Sequence, residues 1–356
     1  MTAQNDIDGR MRRRLLGVTL ASVATTALAA CGGSDGGSPA PAPVSGTPPS
    51  PAPAPSPSPA PAPAPAPAPS PAPAPAPAPA PSPAPAPSPA PAPAPGPFKK
   101  SNKRGIAYDI ASAADLAALA PGVSWWYGWG QQPKASLPAD TITPYGMDFV
   151  PMLWRDGFNV ANVVAWLQAR PWIKHILALN EPNLTDQANR TPKEAVALWQ
   201  LYEQVASQAN VKLVGPQMNY GTMANYSDPI TWLDAFYTEY RNANGGRDPR
   251  IDYLGFHWYD YGLEDQLKRL QKYGKPFWVT EMANWHTGDG AAAIDTLQKQ
   301  KDQMTKMVAM LEDRADVYRY AWFMGRWSPD PHFTSLFTKN DGELSELGKH
   351  YLSLPY

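Results

Sequence analysis

Between Pro39 and Pro97 almost every second residue is a proline, 29 in all. Each one fixes φ and removes a backbone donor, so neither a helix nor a sheet ladder can run through the stretch. It also carries no charged and no aromatic side chain, which leaves nothing to build a core from. Folding must therefore be the business of residues 98–356, which hold all 13 tryptophans. That length suits one large domain with a full core better than two small ones.

Upstream of the prolines, Arg10, Arg12, Arg13 and Arg14 precede an apolar run over residues 15–30, too short for a comfortable membrane span. The run ends at Leu28-Ala29-Ala30-Cys31, which resembles a bacterial lipobox, and Cys31 is the only cysteine. The expectation is an export signal over residues 1–30, lipid on the Cys31 sulfur, and a disordered Gly- and Pro-Ala-rich linker over residues 31–97. The alternative is an ordinary signal peptide with a chance cysteine. Arg12-Arg13-Arg14-Leu15-Leu16 fits either a twin-arginine signal or a merely basic leader. Gly32 is not the Asp that resemblance to bacterial sorting signals would require for the inner membrane, so the outer membrane or cell surface is expected, with possible release from it. In polyproline II, at ~3.1 Å per residue, the linker reaches on the order of 100 Å or more; it serves either as reach or as a passive spacer.

Charge excludes one class of partner. Residues 98–356 carry 26 Lys plus Arg against 28 Asp plus Glu, without the basic excess that nucleic-acid binding needs. A single cysteine excludes an internal disulfide and a Cys-based metal site. The five histidines (His175, His257, His286, His332, His350) show no H-x-H or i, i+4 pairing, and no G-x-S-x-G elbow occurs. No metal and no cofactor is expected, and the chain is read as a monomer.

From residue 98 onward, β-branched and aromatic runs recur at 104–109, 123–129, 148–154, 175–180, 211–218, 253–259, 276–281 and 317–324. Several are almost continuously apolar, as strands buried on both faces should be. Helical segments lie between them: 113–120, 159–170, 263–273, 291–314, one opened at Asp228-Pro229, and one opened by the capping box Thr191-Pro192-Lys193-Glu194. Residues 130–147 show no clear helix. Eight strands alternating with helices over about 250 residues predict a single (β/α)8 barrel of the α/β class. An open doubly wound sheet is the rival, but the turn at Ala107-Tyr108-Asp109-Ile110 lacks its Gly-rich phosphate loop.

In a barrel the chemistry sits at the C-terminal ends of the strands, where polar residues interrupt apolar runs. Glu181 ends the fourth run, before Pro182, and Glu281 ends the seventh. Pro182 should hold Glu181 out of the right-handed α region. Each glutamate could be a rim salt bridge, but two carboxylates across one cleft are the equipment of glycoside hydrolysis. Trp125, Trp126, Tyr127 and Trp129 end the second run, and Trp154, Trp285, Trp322 and Trp327 lie at or after the ends of others, where flat aromatic faces could stack on sugar rings. Trp166, Trp172, Trp199 and Trp232 are expected to be packing residues. His257 and Tyr259 share a face of the sixth run. His257 could equally be a core histidine, and Tyr259 is the better partner for the nucleophile.

Asn180-Glu181-Pro182 with Glu281 resembles the clan A glycoside hydrolases, and the order of motifs from Arg104-Gly105-Ile106-Ala107 to Leu347-Gly348-Lys349-His350-Tyr351 resembles the glycosyl hydrolase catalytic core of glycoside hydrolase family 128. The resemblance implies a retaining endo-β-1,3-glucanase acting on a polysaccharide, with Glu181 as acid/base, Glu281 as nucleophile and Asn180 at the sugar 2-hydroxyl. Two positions depart from the family pattern: Asn183 stands for Asp and Gly128 for Asn. Another clan A specificity (β-mannanase, β-1,4-galactanase or β-1,6-glucanase) and a surface lipoprotein that binds glucan without cutting it remain open alternatives.

Overall fold

The computed structural model describes residues 100–356 apart from Asp289. The expected export signal, the expected lipid site Cys31 and the expected Pro-Ala linker lie outside the described residues. Among the described residues there are nine parallel strands: β1 (Arg104–Ala107), β2 (Trp125–Tyr127), β3 (Asp148–Phe149), β4 (Met152–Leu153), β5 (His175–Ala178), β6 (Lys212–Met218), β7 (Tyr253–Trp258), β8 (Phe277–Met282) and β9 (Val317–Trp322). Their order is β3-β2-β1-β9-β8-β7-β6-β5-β4. The two outermost members are halves of the third predicted run, interrupted at Val150-Pro151. Val150 N donates to Trp126 O (3.0 Å) while Pro151 O accepts from Leu177 N (2.9 Å), so one segment hydrogen-bonds both neighbours and closes the ring. The nine strands thus fill eight positions, and the fold is the (β/α)8 barrel.

The helices are α1 (Ala113–Leu119), α2 (Ile142–Tyr145), α3 (Val160–Gln168), α4 (Pro192–Gln208), α5 (Pro229–Ala243), α6 (Leu263–Leu270), α7 (Leu297–Asp313) and α8 (Glu346–Ser353); all but α2 and α8 fall where the sequence places them. The capping box forms at Thr191 and Glu194, and Asp228 caps α5. A short helix, α2, lies in the connection that was expected to hold none. Among the described residues no helix is long and apolar enough to cross a membrane.

Alternation sorts the strand residues into two cores. Ile106, Trp126, Phe149, Ile176, Leu213, Phe256, Val279 and Trp322 face the helices, while Ala107, Trp125, Tyr127, Leu177, Val214, Trp278 and Ala321 fill the barrel. Trp125 fits because β1 offers Gly105 beside it: a Cβ there would lie 2.3 Å from the indole. Trp199 and Trp232 are buried as expected and Trp166 packs against the core, but Trp172 is 37% exposed.

At the lower end of the barrel His175 packs among Tyr253, Trp278 and Tyr318. Arg319 lies over the Trp278 ring and pairs with Asp148. Burial, reinforced by the Arg319 charge and opposed by Asp252, pushes the His175 imidazole down to about 3. Unfolded, it takes its proton near pH 6.5; between these values only the unfolded chain binds the extra proton. The stability from neutral His175 is therefore complete above pH 6.5 and is lost as pH falls toward 3. Thermal unfolding of His175→Gln should show a shallower loss of Tm between pH 7 and 4.5 than the wild type; parallel curves would remove His175 as the cause.

Candidate active site

Glu181 reaches the barrel mouth because the ladder continues past β5. Asn180 N donates to Trp154 O (2.8 Å) and Glu181 N to Gln217 O (2.8 Å). Pro182 keeps Glu181 from the right-handed helical region, as expected, but the residue sits at φ +43° rather than in extended backbone, with Leu179 at +55° and Trp129 at +56°. For side chains other than Gly such conformations cost on the order of 1–3 kcal/mol each, and strain of this kind gathers at functional sites.

Glu281 arrives by a different device. Along β8, Trp278 and Thr280 face inward, so regular alternation would turn Glu281 toward the helices. The register shifts by one residue between Val279 and Met282 against β9, and between Phe256 and His257 against β7. This bulge turns Glu281 inward directly above Thr280, whose hydroxyl donates to Gln217 Oε1 (2.6 Å), and sets it opposite His257.

The two carboxylates are 1% and 3% exposed, a cost only strong partners can offset. Glu181 Oε1 accepts from Asn219 Nδ2 (3.0 Å) and lies 2.9 Å from His257 Nδ1. Glu281 Oε1 accepts from Tyr127 OH (2.9 Å) and Trp129 Nε1 (2.8 Å), and Oε2 accepts from Tyr259 OH. His257 Nδ1 is also 3.5 Å from Glu281 Oε2, so one imidazole bridges the pair. Three neutral donors converging on Glu281 stabilise its ionised form. One side-chain ligand-type atom each from Glu181, His257 and Glu281 lie within 4.8 Å of one another. A cation drawn to that trio would have to displace the O–H and N–H donors already in place.

Of the aromatics expected at subsites, Trp129 donates to Glu281 with its indole N–H and is 8% exposed. Trp285 stacks on Tyr259 with centroids 3.9 Å apart and meets Trp327 at 5.5 Å, forming one half-buried wall beside Glu281. Trp154 is half-buried next to Asn180, with Arg155 over its ring. Trp126 and Trp322 are corrections. Both are fully buried in the helix-facing core, Trp126 against Phe149 and Trp322 against Tyr351 with its N–H on Thr334 O, so neither offers a face to the cleft. Of the other two aromatics ending the second run, Trp125 is buried inside the barrel and Tyr127 belongs to the site as a donor to Glu281 rather than as a stacking face; Asn219 belongs to the site and was missed. Asn219 lies just past the end of β6, two residues beyond the polar Gln217, and the run by itself does not mark which of the two reaches Glu181.

Both departures from the family pattern have local reasons. Asn183 is buried and its Nδ2 donates to Asn219 O (2.7 Å) and Ser227 O (3.1 Å), which an aspartate could not do. At Gly128 a Cβ would lie 2.8 Å from Asp109 Oδ1, and Asp109 pairs with Lys134 at 2.6 Å. Asn180 Oδ1 is buried with no protein partner, the condition of a group that waits for a ligand hydroxyl.

The family described as glycosyl hydrolase catalytic core matches residues 105–351. A glycoside hydrolase family 128 (subgroup II) endo-β-1,3-glucanase from Pseudomonas viridiflava is 58% identical, with TM-score 0.71 over 72% of this chain and 100% of that one. The Sorangium cellulosum subgroup II enzyme is 33% identical, with TM-score 0.60 over 71% of this chain and 98% of its own. A subgroup I endo-β-1,3-glucanase from Amycolatopsis mediterranei, in complex with laminaritriose, is 28% identical, with TM-score 0.55 over 71% and 99%. Alkali-sensitive linkage protein 1 of Schizosaccharomyces pombe is 24% identical over 264 residues; these cover 71% of this chain and 45% of that relative, so the chain spans about half of its length. Barrel, paired carboxylates and these likenesses define a glycoside hydrolase. The chain belongs to the glycosyl hydrolase catalytic core family and, within it, to glycoside hydrolase family 128.

Proposed function

We propose that this enzyme is a retaining endo-β-1,3-glucanase of the clan A type, with Glu181 and Glu281 on the fourth and seventh of eight strand positions. The observation that carries the mechanism is the approach of the two carboxyl groups, with oxygens within 4.8 Å. Retaining enzymes hold their carboxyl groups ~5–5.5 Å apart, whereas inverting ones leave room for a water between them. Glu281, dressed by Tyr127, Trp129 and Tyr259, attacks the anomeric carbon while Glu181 gives its proton to the departing glycosidic oxygen. Water then takes Glu281's place at that carbon, with Glu181 accepting its proton. Asn180 meets the 2-hydroxyl, and the Trp285–Trp327 wall flanks the sugar under attack. Endo action on β-1,3-glucan is supported by the likeness to the Pseudomonas, Sorangium and Amycolatopsis endo-β-1,3-glucanases.

The test is incubation of the purified protein with linear β-1,3-glucan, with sizing of products and NMR of the first anomer released. Early shortening to mixed oligosaccharides with a β-anomer supports the reading. Inversion overturns the mechanism; binding without release favours a glucan-binding protein; release only from β-mannan, β-1,4-galactan or β-1,6-glucan reassigns the linkage. The same reading has the enzyme exported, acylated at Cys31 and held by its linker at the outer membrane or cell surface. Radiolabelled palmitate should enter the wild type and not Cys31→Ser; equal labelling would sink the anchor.

A further inference from the structure

Below the catalytic pair a fully buried glutamine is bonded toward both carboxylates, and the reaction as described does not use it. Gln217 reaches the acid/base through its main chain. Its N–H donates to Leu179 O (3.0 Å) and its carbonyl accepts from Glu181 N (2.8 Å). These bonds bracket Asn180 and pin Leu179 and Glu181, whose φ angles are both positive. Backbone of that kind persists only where its surroundings over-determine it. Gln217 reaches the nucleophile through its side chain. Its Nε2 donates to Val214 O (2.8 Å), and since a carbonyl cannot donate, the other end of the amide must be the oxygen. That oxygen accepts from the hydroxyl of Thr280 (2.6 Å), the residue immediately before Glu281.

Two irregularities bring the partners together. Against β7, β6 carries one extra residue between Val214 and Gln217, which turns Gln217 inward, and β8 carries one between Val279 and Glu281. β7 lies between these two strands, and the glutamine crosses it at Gly255, where a Cβ would stand 2.1 Å from Gln217 Oε1. We infer that Gln217 is a positioning residue, the strut that sets the separation between the two catalytic carboxylates. Fully buried, it meets no sugar; it acts through the main chain of Glu181 and through Thr280. Both ends of its amide are bonded away from water, where losing a partner leaves a polar group stranded. Separation is what a retaining site has to fix, since its carboxyl groups must stand ~5–5.5 Å apart. This role rests on the retaining-glucanase reading above and adds to it the residue that holds the geometry.

The experiment measures kcat and KM on linear β-1,3-glucan for the wild type, Gln217→Met, Thr280→Val and the double variant. Circular dichroism and thermal unfolding confirm that each is folded at the assay temperature. Methionine fills the glutamine's space without its bonds, and valine keeps the shape of threonine without its hydroxyl. If Gln217 sets the separation, each single variant loses about 100-fold in kcat, the scale on which a misplacement of about 1 Å acts, while KM stays within about threefold of wild type. Both substitutions cut the same link, so the double variant should be no more than about threefold worse than either single one. Should Gln217→Met fail to fold, Thr280→Val decides by the same split between kcat and KM. A folded Thr280→Val with kcat within about threefold of wild type overturns the strut and leaves the glucanase reading standing, as do losses that multiply in the double variant. A wild type that leaves the glucan uncut overturns the β-1,3-glucanase reading, and the strut with it.

Discussion

Glu281→Gln is expected to lower kcat on β-1,3-glucan by on the order of 10⁴-fold or more, the scale on which loss of a covalent nucleophile acts. The substitution keeps size and burial but removes the charge around which Tyr127, Trp129 and Tyr259 are arranged. Because the amide still fills the site, KM should move far less than kcat. Steady-state kinetics, with circular dichroism to confirm folding, checks this. A variant within about 100-fold of wild type that still releases the β-anomer would show that another group attacks.

Glu181→Gln should cost about 10²- to 10⁴-fold on the glucan, the usual yield of general acid catalysis. The diagnostic is its dependence on the leaving group. A sugar alkoxide needs the proton; a 2,4-dinitrophenolate does not, so formation of the glycosyl-enzyme from a dinitrophenyl glycoside should be largely spared. The pH profile offers a second check. If Glu181 must be protonated to start the reaction, the wild-type rate declines as pH rises through its ionisation, and that limb should vanish in the variant. Equal losses on both substrates, with the limb intact, would move the proton donor elsewhere, His257 being next in place at 2.9 Å.

Much of this was written in the chain. Apolar runs bounded by caps such as Thr191 with Glu194, and Asp228 before Pro229, announced a (β/α)8 barrel, and polar residues ending two of the runs announced the carboxylates. What could not be read is instructive. Trp126 and Trp322 sit beside residues that do face the barrel, and one step along a strand is the whole difference between cleft and core. Alternation would have placed Tyr127 correctly and Glu281 wrongly, because alternation assumes a regular ladder and β8 is irregular at that residue. The third run looked like one strand. Pro151 cannot donate to a ladder, and the segment divides its bonds between two neighbours there. Asn219 needed the knowledge that β6 ends beside β5, which only the folded topology supplies.

The bulge in β8 makes the enzyme's activity depend on a count as much as on a residue type. It lets two consecutive side chains, Thr280 and Glu281, look the same way, so that the hydroxyl bonded to Gln217 lies immediately under the carboxylate. Were a descendant to lose Thr280, the strand would pair more regularly and the barrel would survive. The glutamate would then drop one storey, into the hydroxyl's place against Gln217, out of reach of Tyr259 and the sugar. Such a protein would still spell both glutamates, but its second carboxylate would no longer stand opposite the first at the barrel mouth. A relative that lacks the extra residue between Val279 and Met282 should therefore be inactive even where both acids are spelled.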